Sequence, residues 1–143
     1  MRDGPFPLPH LAGTRLLLVD HLQEERGVVA SMLDLTGAAV FEVGRAADAM
    51  AVMPRLHPDA VITEMALPDA TGLELVRFVR AYDRDRQRST VVVALTRPSG
   101  DCPWEMARRA GFDGYFTKPP ATDDLTVGLA ALLGAHRRRR SAA

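Results

Sequence analysis

The sequence predicts an α/β fold in which five parallel strands form one sheet, doubly wound by helices on both faces. Two observations predict it. Five short apolar runs alternate with five segments of helical character along nearly the whole chain. The apolar runs lack polar alternation, which is the pattern of strands buried on both faces of a parallel sheet. The length of 143 residues is near the common size of one domain, so we expect a single domain.

The first two strand–helix units follow from apolar runs and from the residues that end them. Gly37 suits the end of the first helix, because glycine adopts the left-handed conformation found there. Pro58 ends the second helix, since a proline disfavours helical backbone in the residue before it. The strands and helices of these units are expected near 15–20, 22–36, 40–43 and 46–56.

The remaining three units are predicted in the same way. Apolar side chains at helical spacing between 73 and 82 indicate the third helix. Pro103 suits the first position of the fourth helix, which Gly111 ends. Thr122 can cap the fifth helix, with two aspartates in its positive first turn. The last three strands are expected near 59–64, 90–96 and 114–117.

Four of the predicted strands end in a polar residue. These residues are Asp20, Glu64, Thr96 and Lys118. The C-terminal ends of parallel strands lie along one edge of an open sheet, where ligands bind, so we expect the four side chains to form a site. Two simpler roles stay open: Asp20 as a cap of the first helix and Thr96 as a solvent-facing strand residue.

Lys118 is the only lysine in the chain, among 18 basic residues. The composition favours arginine at any basic position, yet a lysine stands beside the predicted cluster of acids. A compact ammonium differs from a planar guanidinium in what it can contact within a small pocket. This choice of residue favours a functional site at the strand ends.

The order of several short motifs resembles the receiver domain of bacterial two-component response regulators, the CheY-like family. No single motif is specific, but six occur in the family's order over about residues 11–133. They are Leu17-Leu18-Val19-Asp20, Pro58-Asp59, Leu67-Pro68 with Gly72, Leu95-Thr96, Ala110-Gly111-Phe112 and Lys118-Pro119. The resemblance implies the flavodoxin-like fold of five βα units.

The resemblance also implies the roles of individual residues. Glu64 occupies the position of the aspartate that receives the phosphoryl group, and Asp20 with His21 occupies the acidic pocket. A metal ion would be held by Asp20, Glu64 and the carbonyl of Ala66. Lys118 would form a salt bridge with the acceptor carboxylate, and its bond to Pro119 would be cis.

Two further residues match the family's switch. In the family, phosphorylation draws a hydroxyl inward and an aromatic ring follows it, which is a two-state element biased by a local charge. Thr96 matches the hydroxyl and Tyr115 matches the aromatic ring. Core packing is the alternative role of Tyr115. Trp104 and Met106 in the fourth helix either add to an exposed partner surface or pack inward.

Three departures from the family pattern predict altered chemistry. Glu64 is longer than aspartate by one methylene, which displaces its carboxylate by roughly 1–1.5 Å. His21 replaces an oxygen ligand that magnesium prefers. Arg97 flanks the site, so Lys118 and Arg97 balance the charges of Asp20 and Glu64. We therefore expect no cofactor, with magnesium binding weakened.

These departures predict an atypical receiver, or pseudo-receiver, with a glutamate at the acceptor position. We expect a single-domain signalling protein of two-component or phosphorelay type that binds other proteins without being phosphorylated, and that is not an enzyme. Glu64 either mimics aspartyl phosphate permanently or merely silences the site. The alternative is a working receiver that accepts a phosphoryl group from a histidine kinase.

Composition restricts the partners. The chain has 18 basic and 18 acidic residues, and Arg137–Arg140 supply four of the basic ones, so the remaining surface is mildly acidic. Nucleic acid is therefore disfavoured as a partner of the fold itself. We expect a histidine kinase or a downstream signalling protein to bind the face formed by the fourth helix, fifth strand and fifth helix.

The expected organisation is an N-terminal extension over 1–13, the receiver domain over 14–134 and a basic tail over 135–143. The tail is either solvated or in contact with nucleic acid or acidic lipid. No apolar run approaches the length of a membrane span, and we expect a cytoplasmic protein that does not bind membranes. The single cysteine, Cys102, excludes an internal disulfide. An enzyme that binds nucleotides is disfavoured because no glycine-rich loop follows the first strand.

Overall fold

The computed structural model describes residues 8–97 and 102–142, which form five strands alternating with five helices. The elements are β1 (Arg15–Val19), α1 (Gln23–Asp34), β2 (Ala39–Val43), α2 (Ala46–Leu56), β3 (Ala60–Glu64), α3 (Gly72–Arg86), β4 (Val91–Thr96), α4 (Trp104–Ala110), β5 (Gly114–Thr117) and α5 (Thr122–Ala142). The predicted α/β fold and the order of its elements are confirmed.

The five strands form one parallel sheet in the order β2-β1-β3-β4-β5. Val19 lies opposite Thr63, and Thr96 lies opposite Thr117. Because β2 and β3 lie on opposite sides of β1, the strand order reverses between β1 and β3. Ligands of open α/β sheets bind outside the carboxyl ends of the strands at such a point.

Alternate residues of the buried strands face two separate cores. Leu17, Val61 and Val92 pack on one side of the sheet against α2, α3 and α4. Leu18 and Ile62 pack on the other side against α1 and α5. Because both faces are covered, β3 and β4 are buried at every position, which explains why their sequences are mainly apolar.

Several element ends differ from the predicted ones. Helix α3 continues four residues past Tyr82 to Arg86, although its apolar stripe ends at Tyr82. The added turn includes Asp83, which is buried. Its carboxylate accepts hydrogen bonds from the backbone N–H and from the hydroxyl of Thr90. Pro103 lies at the N-cap of α4, one position before the first helical residue.

The residues predicted as a basic tail continue helix α5, which extends as far as Ala142. His136 is buried, and the Arg137 guanidinium donates a hydrogen bond to the Thr14 hydroxyl at 3.1 Å. Arginine is a good helix former, and its charge is favourable near a helix C-terminus, so the basic run extends the helix. Residue 143 lies outside the described residues.

The predicted N-terminal extension is partly packed on the domain. Leu11 is buried in the core beside α1 and α5, and its N–H donates to the carbonyl of Thr36 at 2.7 Å. Residues 1–7 of that predicted segment lie outside the described residues. Within residues 8–97 and 102–142, no helix is both long enough and apolar enough to cross a membrane.

Arg80 joins the amino ends of two strands. Its guanidinium donates to the carbonyl of Thr90, before β4, at 2.6 Å and to the carbonyl of Gly111, before β5, at 2.7 Å. It also forms ion pairs with Asp83 and Asp113. A planar group with five donors suits this set of acceptors, so one side chain fixes α3 to both strands at this edge.

Gly72 allows α3 to begin close to the end of β3. Its N–H donates to the carbonyl of Met65 at 2.8 Å. A Cβ atom at this position would lie 3.0 Å from the carbonyl oxygen of Glu64 and 2.9 Å from the sulfur of Met65. The loop that follows Glu64 therefore requires glycine at its end.

We expect Gly72→Ala to destabilise the protein by about 1–3 kcal/mol, the usual cost of forcing extra atoms into a packed region. Gly27→Ala is the matched control, because a Cβ at this helical position would contact nothing within 4 Å. It should stabilise the protein by about 0.5–1 kcal/mol. Urea unfolding measures both changes, and equal stability of the two variants would contradict the packing argument.

Candidate functional site

Asp20 directly follows β1 and is fully buried. Its Oδ1 accepts a hydrogen bond from the backbone N–H of Leu22 at 2.9 Å, at the start of α1. Its Oδ2 lies 2.8 Å from the Lys118 ammonium. The same carboxylate therefore serves the simpler capping role and the ion pair of the predicted site.

Glu64 and His21 are in direct contact. Glu64 is the last residue of β3 and is 4% exposed. Its Oε2 accepts a hydrogen bond from the backbone N–H of His21 at 2.6 Å and also contacts the imidazole Nδ1. Because β1 and β3 are paired, His21 and Glu64 meet where these two strands end.

Lys118 brings three carboxylates together. Its ammonium lies 2.8 Å from Asp20 Oδ2, 3.4 Å from Glu25 Oε1 and 3.5 Å from Glu64 Oε1. Its backbone N–H donates to the carbonyl of Thr96 at 2.6 Å, which fixes the end of β5 against β4. The bond between Lys118 and Pro119 is cis, as the resemblance implies.

The buried charges affect one another's protonation. Burial raises the pKa of Glu64 and the neighbouring Asp20 adds to the rise, while the His21 N–H opposes it. Burial alone would lower the pKa of Lys118, but Asp20, Glu64 and Glu25 outweigh it and the net pKa is raised. Lys118 is therefore a firmly charged ammonium, whereas the Glu64 carboxylate is harder to ionise than an exposed one.

The two predicted switch residues contact other groups than Glu64. The Thr96 hydroxyl donates to the carbonyl of Arg97 at 3.4 Å, and within the described chain no hydrogen bond joins it to Glu64. Tyr115 is half-buried on β5, and its hydroxyl donates to the carbonyl of Cys102. The Trp104 ring lies 5.8 Å from the Tyr115 ring and remains 38% exposed, so Trp104 both packs on β5 and contributes to the surface.

Arg97 flanks the site but pairs outside it. Its guanidinium lies 3.0 Å from Glu25 on α1, and its side chain is 57% exposed. Glu25, which no sequence motif marks as a site residue, contacts both Lys118 and Arg97. The sequence feature that could have indicated Glu25 is the acidic first turn of α1. That turn also contains Glu24, so the pattern does not show which of the two glutamates reaches the site.

A cavity of about 380 Å³ opens beside Glu64. The residues lining it include the predicted Glu64, Ala66, Thr96, Arg97 and Lys118, together with Met65 and Met106. Asp20 and His21 are not among the described residues that line this cavity, and donor atoms of Asp20, His21 and Glu64 lie within 4.8 Å of one another. The strand ends thus form an apolar cavity and a polar cluster that share the Glu64 carboxylate.

Comparison with protein families agrees with this architecture. The family profile of the response regulator receiver domain matches residues 16–130. The chain is 30% identical over 109 residues to an uncharacterised 14.6 kDa protein encoded in the sodA1 3' region of Leptolyngbya boryana, which covers 76% of this chain and 82% of that protein.

Longer relatives match only in part. The transcriptional regulatory protein GltR of Pseudomonas aeruginosa is 30% identical over 121 residues, which is 85% of this chain but 49% of GltR. The chain likewise matches 52% of the KDP operon transcriptional regulatory protein KdpE of Escherichia coli. It thus spans about half the length of these two regulators.

Solved structures share the fold. A CheY-like receiver domain from Methylobacillus flagellatus is 27% identical with a TM-score of 0.73, over 83% of this chain and 98% of that one. The receiver domain of the sensor histidine kinase PA1611 from Pseudomonas aeruginosa, which has magnesium coordinated in its active-site cleft, is 28% identical with a TM-score of 0.75. That match covers 86% of this chain and 99% of the PA1611 receiver domain. By sequence and by fold, this chain belongs to the response regulator receiver domain family.

Proposed function

We propose that this receiver domain acts without accepting a phosphoryl group, as a module of two-component signalling that binds other proteins. One observation carries the proposal. The Glu64 carboxylate, at the position of the family's acceptor aspartate, has its Oε2 held by both the backbone N–H and the ring of His21, in addition to the Lys118 contact that the family pattern implies. An acceptor must instead present one free, ionised oxygen to the phosphorus atom.

The chemistry of Glu64 supports the same proposal. Burial raises the pKa of Glu64, so the folded protein favours its protonated form relative to an exposed carboxyl. Its extra methylene places the carboxylate beyond an aspartate's position, and misplacement by about 1 Å can reduce a reaction rate 100-fold. Both effects reduce the reactivity of the group that would have to attack.

Magnesium does not fit the polar cluster. Magnesium prefers oxygen ligands in near-ideal octahedral geometry. Here one of three clustered donors is the His21 imidazole, and the Lys118 ammonium already lies 2.8 Å from Asp20 Oδ2. The donor set and the nearby positive charge both disfavour this ion.

Between a silent scaffold and a permanent phosphate mimic, the contacts support the scaffold. A mimic needs Glu64 to attract the Thr96 hydroxyl, because a charge that contacts both states of a switch equally shifts neither. Among the described residues, Thr96 instead bonds to Arg97, and Glu64 faces His21 and Lys118. Within the described residues, Glu64 therefore has no hydrogen bond through which to bias the switch.

The proposed partner surface is formed by α4, β5 and α5. Trp104, Met106 and Val127 are apolar residues exposed on α4 and α5, by 38%, 48% and 48%. Tyr115 on β5 packs between this surface and the core. Aromatic residues and methionine are enriched in protein interfaces, so this face suits a histidine kinase or a downstream signalling protein.

The first test is chemical. The wild-type protein incubated with acetyl phosphate and Mg²⁺ should gain no phosphoryl group by intact mass spectrometry. His21→Asp with Glu64→Asp should gain one, because the pair restores an oxygen ligand and the shorter acceptor. The matched control combines His21→Asp with Glu64→Ala and should stay unmodified. A phosphoryl group on Glu64 of the wild type would overturn the proposal.

The second test separates scaffold from mimic. Trp104 is the only tryptophan, so its fluorescence reports the environment of Tyr115. Glu64→Gln removes the charge at nearly constant size and should leave the Trp104 emission unchanged. Tyr115→Phe breaks the bond to Cys102 and should shift the emission, which shows that the probe responds. A shift of equal size in Glu64→Gln would favour the mimic.

The third test concerns the surface. Met106→Glu should weaken partner capture by at least about tenfold, since residues central to an interface each contribute about 2 kcal/mol or more. Phe41→Glu is the control, because Phe41 is 42% exposed but lies on β2, at the opposite edge of the sheet. A pull-down with the wild type first captures the partner protein. Quantitative pull-downs of that protein with both variants then measure the loss of binding. Equal losses in the two variants would exclude this face as the interface.

A further inference from the structure

We infer that His136 is an acid-sensitive contact that holds the last turns of α5, with the run Arg137–Arg140, on the domain and releases them when its imidazole is protonated. His136 is 8% exposed, although the four arginines that follow it are all exposed. Its Nδ1 accepts a hydrogen bond from the Arg139 guanidinium at 2.8 Å. Arginine can only donate, so this bond requires a neutral ring with a free lone pair on Nδ1, which a proton would remove.

The charged groups that face His136 come from three segments. They are Arg80 and Asp83 of α3, Asp113 in the loop before β5, and Arg139 of α5 itself. Burial is the largest cause that lowers the pKa of His136; Asp113 and Asp83 oppose it, whereas Arg139 and Arg80 lower it further. Both aspartates are already paired with Arg80, which limits what they can offer a second cation. A proton on His136 would therefore add a poorly compensated charge to a buried position.

A protonated His136 would also lie beside like charges on its own helix. Arg139 and Arg140 follow it at i+3 and i+4, and like charges at these spacings destabilise a helix. The negative end of the helix dipole compensates only within the last turn, and His136 lies more than one turn before Ala142. Protonation therefore disfavours both the burial of the ring and the helical form of these turns.

Few other contacts hold the end of α5. Among the described residues, Leu133 is the last buried apolar residue of this helix. Beyond His136, the Arg137 guanidinium donates one hydrogen bond to the Thr14 hydroxyl at 3.1 Å. Segments with few buried apolar contacts open locally while the rest of a protein stays folded. Loss of the His136 contact is therefore expected to release the residues after it and to leave the sheet intact.

The direction of the pH dependence follows from the lowered pKa of the packed ring. In the released segment the imidazole returns to a pKa of about 6.5, so the released form takes up a proton at a higher pH than the packed form. The stability that the contact contributes is fully present above this value and is lost as the pH falls below it. At one pH unit below it, the equilibrium shifts toward release by at most about tenfold, and by more at lower pH.

This inference goes beyond the proposed function and does not depend on it. It concerns groups beside Arg80, at the amino ends of β4 and β5, and none of the residues around Glu64. The two are tested by different variants and different readouts, so failure of one leaves the other intact.

The experiment is hydrogen exchange of the isotope-labelled full chain, followed by NMR at about pH 7.5 and 5.5 and corrected for the intrinsic effect of pH on exchange. In the wild type, the amides of residues 137–141 should be protected at the higher pH and should lose up to about tenfold of that protection at the lower pH. His136→Gln keeps an acceptor for Arg139 and cannot be protonated, so its protection should be the same at both values. His10→Gln removes an exposed histidine elsewhere and should behave as the wild type does.

A second measurement follows the ring itself in the wild type. The proton on Cε1 of His136 should report a pKa below about 6.5. Arg139→Gln removes a positive charge beside the ring and should raise that pKa. Three results would each overturn the inference: a pKa of His136 at or above 6.5, no protection of residues 137–141 at the higher pH, or an acid-dependent loss in His136→Gln as large as that of the wild type.

Discussion

The ammonium of Lys118 is the interaction on which the carboxyl edge of this domain depends. Asp20 and Glu64 are buried and come from different strands, and without a cation between them their charges would repel each other away from water. Removing one partner from a buried ion pair typically costs about 3–5 kcal/mol, because the other charge is left without compensation. Lys118 also reaches Glu25, so one side chain joins the ends of β1, β3 and β5 to α1.

That arrangement holds the charged groups of the site in fixed contacts. Lys118 neutralises part of the charge at the strand ends, while His21 occupies Glu64 Oε2 through both its backbone and its ring. The carboxylate is thus held by fixed partners on both of its oxygens.

The fold, and the meeting of Asp20, Glu64 and Lys118 at one edge, could be predicted from the sequence for one physical reason. Buried parallel strands have unbroken apolar sequences, and parallel strands must end at the same edge, so the polar residues after them had to meet. The partners were harder to predict. Glu25 reaches Lys118 because of the direction of α1, and Arg97 turns outward to pair with Glu25. Neither contact could be predicted from the spacing of apolar residues in the sequence.

The ends of the domain were predicted less well for a related reason. The run Arg137–Arg140 is polar, and polarity alone does not distinguish a solvated tail from the last turns of a helix. What decides is that His136 is buried and that Arg137 reaches Thr14, contacts between segments far apart in the sequence. The cis bond before Pro119 followed from the family resemblance, since no local pattern specifies it.

The network of Arg80 at the amino ends of β4 and β5 has a consequence for how such a protein can change over generations. The strands are anchored at the edge away from the site by hydrogen bonds that involve none of the site residues. Substitutions at the opposite edge therefore leave these anchors of β4 and β5 in place. A lineage can exchange an acceptor aspartate for glutamate, or an acid for histidine, and keep a folded domain on which new recognition can develop.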